Sequence, residues 1–156
     1  MASWDEIERE APALAARVRA ALDPAAGARR HKTIATLRAD GSPRISGIEC
    51  WFDGGELRFG SMPGSLKSAD LRRDPRFALH GPTIDPPGET PSGWAGEGKV
   101  AGRAVLEGPL PEDGPPGDLF RADLLEVVWT GMDPTGTRLA VESWHAGRGV
   151  TRLERD

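Results

Sequence analysis

The sequence predicts a mainly β domain in which seven or eight short antiparallel strands close, or nearly close, into a barrel. Three observations carry this expectation. Asp40-Gly-Ser-Pro43 and Asp53-Gly54-Gly55 are tight-turn signals one strand length apart, which makes a meander of successive hairpins. The 156 residues include 20 glycines and 14 prolines, punctuation that suits many short strands better than a helical bundle. Between these breaks the apolar residues alternate as strands do, and closure follows because it removes exposed strand edges.

The elements follow in order. Ser3-Trp-Asp-Glu6 has the spacing of a capping box, in which Ser3 and Glu6 satisfy free N–H groups at a helix start. Ile7, Ala11, Leu14, Val18 and Ala21 or Leu22 recur at helical spacing, so residues 1–24 are expected as a helix packed outside the barrel. Pro12 predicts a kink there, or a second helix that begins at it. Strands are expected from His31 to Leu37, at 44–52 and at 56–60, with Ile34, Ala35 and Leu37 as the buried members of the first. A short helix over 65–73 stops at Asp74-Pro75, and 76–80 returns as a fourth strand.

Residues 81–93 and 109–117 are rich in Pro and Gly and read as loops. Between them, 94–107 is a long strand pattern interrupted by Gly96, Gly98 and Gly102, which predicts bulges or strong curvature. Residues 119–130 mix helix and strand signals, and Val127 to Thr130 favour strand. Asp133-Pro-Thr-Gly136 turns the chain into a strand over 137–145, and a short segment at 150–153 closes it. On the 137–145 strand, Leu139, Val141 and Ser143 share one face. Arg138, Ala140, Glu142 and Trp144 share the other, more polar one. With no repeat and no interior boundary, 1–156 is expected to be a single domain.

Composition excludes several functions. A net charge of -4 argues against nucleic-acid binding, which rests on a basic surface. A single cysteine, Cys50, excludes an intrachain disulfide framework, and its place in a strand suits a small buried hydrophobe. No apolar run approaches the roughly 18 residues of a membrane span, and the acidic N-terminus is unlike a signal peptide, so a cytoplasmic protein with no membrane partner is expected. His31, His80 and His145 are scattered without metal-ligand spacing, so no metal is expected. There is no Gly-x-Ser-x-Gly elbow and no His-Glu-x-x-His helix, and Gly96-Glu-Gly98 sits in a strand pattern, off the dinucleotide fingerprint. Chemistry, where there is any, is expected from a bound cofactor.

One stretch offers a place for it. In Phe59-Gly-Ser-Met-Pro-Gly-Ser-Leu-Lys67 a strand ends at small residues and a helix starts near Ser65. Uncovered backbone N–H groups, the helix N-terminus and the Lys67 charge together suit a phosphate. The same stretch also fits an ordinary turn with a surface lysine.

The order of pieces resembles the flavin-binding split-barrel proteins related to pyridoxamine 5′-phosphate oxidase, over about 34–155. The points of likeness are Ile34-Ala-Thr-Leu with Asp40-Gly-Ser-Pro-Arg44; Phe59-Gly-Ser61 with Gly64-Ser-Leu-Lys67 and Asp74-Pro-Arg76; and Trp144 with Arg152-Leu153 and Arg155. The resemblance implies an antiparallel split β-barrel with an N-terminal helix and one or two short helices. It implies that Ser61, Ser65 and Lys67 hold the cofactor phosphate, helped by Arg44 or Ser46, while backbone groups of Ile45, Ser46, Gly47, Ile48, Glu49 and Cys50, with Gly60, line the flavin. It further implies that Trp144 and Arg155 reach the ring edge across a homodimer interface, with Arg152 toward a small-molecule substrate. Packing under the N-terminal helix is the alternative for Trp144.

Leu66, Cys50 and Glu154 depart from the oxidase, which has arginine, lysine and histidine near those places. The resemblance therefore points to the short, divergent branch rather than to the oxidase itself. It implies an oxidoreductase that moves hydride with FMN, or with a 5-deazaflavin coenzyme as the alternative. A non-enzymatic cofactor carrier or sensor is a further reading, as is a haem-binding relative with His80 or His145 as axial ligand.

Overall fold

The computed structural model describes residues 1–23, 31–113 and 116–156. Residue 24, the expected end of the N-terminal helical segment, lies outside them, as does part of the 109–117 loop. The protein is mainly β: the described residues form a closed six-stranded antiparallel barrel, two further strands and three α-helices.

The N-terminal segment forms two helices, α1 (Trp4–Glu10) and α2 (Pro12–Leu22), because Pro12 supplies no N–H and so starts a helix rather than continuing one. The capping box forms as the sequence predicts, with the Glu6 N–H donating to Ser3 Oγ and the Ser3 N–H donating to Glu6 Oε2 at 2.7 Å. Trp4, Ile7, Leu14, Ala15, Val18 and Leu22 make one buried stripe across both helices. Pro12 therefore divides the helix without dividing its apolar face.

Strands β1 (His31–Leu37), β2 (Pro43–Asp53) and β3 (Glu56–Ser61) form the predicted meander. Helix α3 (Leu66–Arg73) follows, capped by Ser65, and β4 (Arg76–His80) returns beside β1. Strand β5 (Glu97–Pro109) pairs with β4 and with β6 (Asp118–Met132). The mixed signals over 119–130 resolve wholly as strand. Strands β7 (Leu139–His145) and β8 (Gly149–Arg155) extend the sheet beyond β6.

β6 has 15 residues, well beyond the usual strand of about five or six, and it shares one edge among several partners. Residues 118–121 pair with β3 and close the barrel, while 126–132 pair with β7. Between them Ala2 bridges Leu124 through two backbone hydrogen bonds of 2.9 and 2.8 Å, so the N-terminus fills the gap on that edge. Inside the barrel Phe59 stacks on Phe120 at 5.7 Å between centroids and meets Phe77 edge-on at 5.2 Å. Ile34, Leu57, Leu79, Val100 and Ala122 complete this interior.

Two face assignments are corrected. On β1, Lys32, Ile34 and Thr36 point inward, and Ala35 and Leu37 are only partly covered, because strict alternation overrides side-chain polarity. On β7 the face read as the more polar one is the buried one. Ala140, Glu142 and Trp144 lie under α1 and α2, where Arg17 bonds Glu142 and the Trp144 Nε1–H donates to Glu10 Oε2 at 2.7 Å.

The bulges expected in the 94–107 pattern fall between Ala101 and Gly102 and between Leu106 and Gly108. Gly102 sits against β6 so closely that a Cβ there would lie 2.1 Å from the Asp123 carbonyl oxygen. Backbone cannot rotate away as a side chain would, so Gly102→Ala should cost about 1–3 kcal/mol of stability. Urea denaturation that leaves the midpoint unchanged would show that this bulge yields freely.

Candidate cofactor cleft

The outer face of β2 carries Ile45, Gly47, Glu49 and Trp51, and none of the described helices covers it. Beside Gly47–Trp51 a cleft of about 610 Å³ opens, within the ordinary range for a small-molecule site. Its floor is Gly47, Ile48 and Glu49 of β2 with Gly60 and Ser61 of β3. One wall is Met62 and Lys67 at the start of α3, and the other is made by Leu110, Pro111, Asp113 and Pro116, ahead of β6. That second wall stands there because β6 pairs with β3, Gly60 opposite Leu119 and Ser61 opposite Asp118. Leu110 rests on Gly60, where a Cβ would meet its side chain at 3.1 Å. His31, opposite Glu49 on β1, and Trp51 close the other end.

The α3 end is built for a charge it does not itself supply. Ser65 caps the helix by accepting from the Ser68 N–H at 3.2 Å, and its hydroxyl is 2.6 Å from that of buried Ser61. Lys67, in the first turn and half-buried, has no ion pair or hydrogen bond among the described residues. Among the described residues it is the one Lys or Arg that lines the cleft.

Behind the cleft, α3 is held to the barrel by buried charge. Asp70 accepts from Thr36 Oγ1 at 2.8 Å, Arg44 Nε at 2.7 Å and Arg73 at 2.9 Å. Burial alone would raise the Asp70 carboxyl, but these three donors outweigh it and hold the carboxyl below its ordinary value. On the other side of α3, Arg72 and Ser68 bond Asp118 at the start of β6 and lower it too.

Of the residues expected at a cofactor, the structure brings Gly47, Ile48, Gly60, Ser61 and Lys67 together, with Ser65 one hydrogen bond behind Ser61. Arg44 and Ser46 lie on the other face of β2, and the Arg44 guanidinium is taken by Asp70. Ile45 is on the cleft's face of β2 but beyond its lining, 75 % exposed. Trp144 takes the alternative place, buried beneath the N-terminal helices. Arg152 is held between Glu142 and Glu154, and Arg155 is exposed on β8.

Cys50 is buried as expected, its thiol pushed up to about 11 by burial. His80 and His145 are each turned to a carboxylate, Glu97 and Glu126. Sequence reasoning missed His31, the Glu49 side chain, Trp51, Met62 and the wall of Leu110, Pro111, Asp113 and Pro116. The first three could have been found from strand alternation and register, since Glu49 and Trp51 share a face with Gly47. The wall had no local signal.

No family model and no curated protein matches the sequence. Solved structures do match the fold. A pyridoxamine 5′-phosphate oxidase-related, FMN binding protein from Nostoc punctiforme aligns with a TM-score of 0.58 at 11% identity, over 81% of this chain and 87% of that one. PhzG from Burkholderia lata, in complex with tetrahydrophenazine-1-carboxylic acid, aligns with a TM-score of 0.58 at 14% identity, over 92% of this chain and 86% of that one. The General Stress Protein 26 from Bacillus anthracis aligns with a TM-score of 0.53 at 15% identity, over 73% and 91%. The fold is the split barrel of the pyridoxamine 5′-phosphate oxidase-related proteins.

Asp70 gives the test of how α3 is fixed. Asp70→Ala strands Arg44 and Thr36 and should cost about 3 kcal/mol near neutral pH. Because the folded carboxyl is held low, its contribution is present above its unfolded value of about 4 and is lost as pH falls through the folded value. The gap between wild type and variant should therefore narrow in acid. A gap independent of pH would show that the loss is one of packing alone.

Proposed function

We propose that this protein is an oxidoreductase that binds FMN, or a 5-deazaflavin coenzyme, in the β2–β3 cleft and acts on a small organic substrate. The observation that carries the reading is Lys67. It is a cation without a partner among the described residues, in the first turn of α3, beside the Ser61–Ser65 hydroxyl pair and at the end of a cleft of cofactor size. A phosphate placed there meets a lysine, hydroxyl donors and the positive end of a helix. Gly47 leaves backbone open beneath a flat ring, and Met62 and Leu110 give it apolar contacts. The bound flavin would supply hydride transfer, for which the described side chains have no equivalent. The chain's own part is to fix the phosphate, seat the ring and keep water from it.

The partner we propose is a second copy of this chain. Ile45, Ala35, Ala78 and Ala101 lie side by side across the outer face of four strands, a row of small side chains that ends in exposed Ile45, two residues along β2 from the Gly47 of the cleft. A copy docked there would cover the cleft mouth, and Arg155 of one copy, exposed near its C-terminus, would reach the ring edge of the other. Trp144 is not part of this reading, because its ring is enclosed within its own chain. A cofactor carrier or sensor is the second reading, favoured by the carboxylates that hold Arg152. Reduction of bound cofactor without turnover of any electron acceptor would select it.

Absorbance of the protein as isolated, followed by titration with FMN and with the deazaflavin coenzyme, tests the cofactor. No binding of either at tens of micromolar, a weak affinity, would reject it. Lys67→Ala should weaken binding by about 1.5–3 kcal/mol, and an unchanged affinity would place the phosphate elsewhere. Ile45→Asp should convert the dimer to a monomer in sedimentation, since a buried unpaired carboxylate at each copy's interface opposes association. A variant that still dimerises would move the interface off this face.

A further inference from the structure

Gly60 leaves a gap in the outer surface of β3, and two side chains from other elements fill it. A Cβ at Gly60 would meet Leu110 Cδ2 at 3.1 Å and Trp51 Cη2, at the far edge of the indole, at 3.5 Å. Trp51 reaches it diagonally from β2, since Trp51 is itself opposite Arg58 and Gly60 is opposite Glu49. Arg58 is drawn to Glu107 at 2.9 Å and to the Asp53 carbonyl, which leaves the glycine as the place for the indole. On the other side the Leu110 N–H donates to the Gly117 carbonyl at 2.8 Å, and Gly117 presses on the Ser61 backbone. Over β3 the cleft floor is therefore an indole edge and an aliphatic side chain. The other four tryptophans each give their indole N–H to an acceptor of the chain itself, Glu8, Glu10 or the Ile84 and Ala95 carbonyls. Trp51 is the one tryptophan or phenylalanine among the described residues of the cleft lining.

We infer that Trp51 is the stacking platform for the cofactor ring and that it favours the oxidised form of that ring. The inference rests on the reading of the same cleft as a cofactor site. Gly60 directly precedes Ser61, so a ring whose phosphate is held by Ser61 and Lys67 comes to lie over the Trp51–Leu110 pair. The face of an indole is electron-rich, and aromatic rings stack on it in an offset arrangement. An oxidised isoalloxazine is electron-poor and gains from that face. The reduced ring carries two more electrons and gains less, because the same face that attracts positive charge opposes negative charge. Trp51 thus fixes the plane of the ring and lowers its midpoint potential, while the Lys67 end fixes the phosphate.

Wild type, Trp51→Ala and Trp51→Phe are titrated as full chains with FMN and with the 5-deazaflavin coenzyme, followed by cofactor fluorescence. Trp51→Ala should bind oxidised cofactor about tenfold more weakly than wild type, and Trp51→Phe should recover most of the loss. Reduced cofactor should lose only about threefold in Trp51→Ala, so the two-electron midpoint of the bound cofactor should rise by about 15 mV. Redox titration of the loaded protein reads that shift, which a merely loosened cleft would not give. Affinity of Trp51→Ala within about twofold of wild type overturns the inference, and so does an equal loss for the two oxidation states. A phenylalanine that restores nothing overturns it too. Failure of wild type to bind either cofactor rejects the cofactor reading and the inference with it, and is seen before any variant is compared.

Discussion

The pairing of β3 with the first residues of β6 is the constraint on which the rest of the structure depends. Four register pairs, from Arg58 opposite Arg121 to Ser61 opposite Asp118, turn a meander into a closed barrel. They bring Phe59 over Phe120 at the centre of the core. They also draw the chain before β6 across Gly60, so that one contact makes both the barrel and a wall of the cleft. Gly117 marks how close that approach is, since a Cβ there would sit 2.2 Å from the Ser61 carbonyl oxygen. At the same point Asp118 receives Ser68 and Arg72, which ties α3 to the barrel's seam. Helix, wall and floor of the cleft are consequences of a single long-range pairing.

Charge divides between holding the fold and facing the solvent in a way that residue type alone does not reveal. Arg44 and Lys67 flank the same helix, yet Arg44 is spent on a carboxylate that is 3% exposed while Lys67 has no described partner. A buried carboxylate left without its arginine would be strongly unfavourable, so Arg44 cannot leave Asp70 for a ligand without loss. The same reasoning separates Arg152, caught between Glu142 and Glu154, from exposed Arg155. A cation is available to a ligand only where the fold makes no prior demand on it.

Local signals in the sequence were enough for most of the elements. The capping box, the two tight hairpins, the Ser65 start and Asp74-Pro75 stop of α3, and the glycine bulges of β5 all have causes within a few residues. What could not be read locally was set by distant pairing: the shared edge of β6, the wall over Gly60 and the cover over β7. Trp144 shows the difficulty. Its strand face carries Arg138 and Glu142 and reads as polar, but α2 lies on it and Arg17 neutralises Glu142. Of the residues that line the cleft, Gly47, Ile48, Gly60, Ser61 and Lys67 were legible from strand alternation and a helix cap, although Trp51 and Met62 on the same stretches were missed. Those that reach it from the segment before β6 were not.

Three departures from the oxidase pattern acquire a common sense from their positions. Leu66, in place of an arginine, is 64% exposed at the start of α3 and leaves Lys67 as the local cation. Cys50 points into the barrel with its thiol raised to about 11, so it presents neither a charge nor a nucleophile to the cleft. Glu154 takes part in holding Arg152. Each change removes a group that could bind an anion, and Leu66 does so within the Ser65–Lys67 turn itself. An anion bound at that turn would therefore depend on Lys67, the paired Ser61 and Ser65 hydroxyls and the start of α3, with no arginine beside them in the sequence.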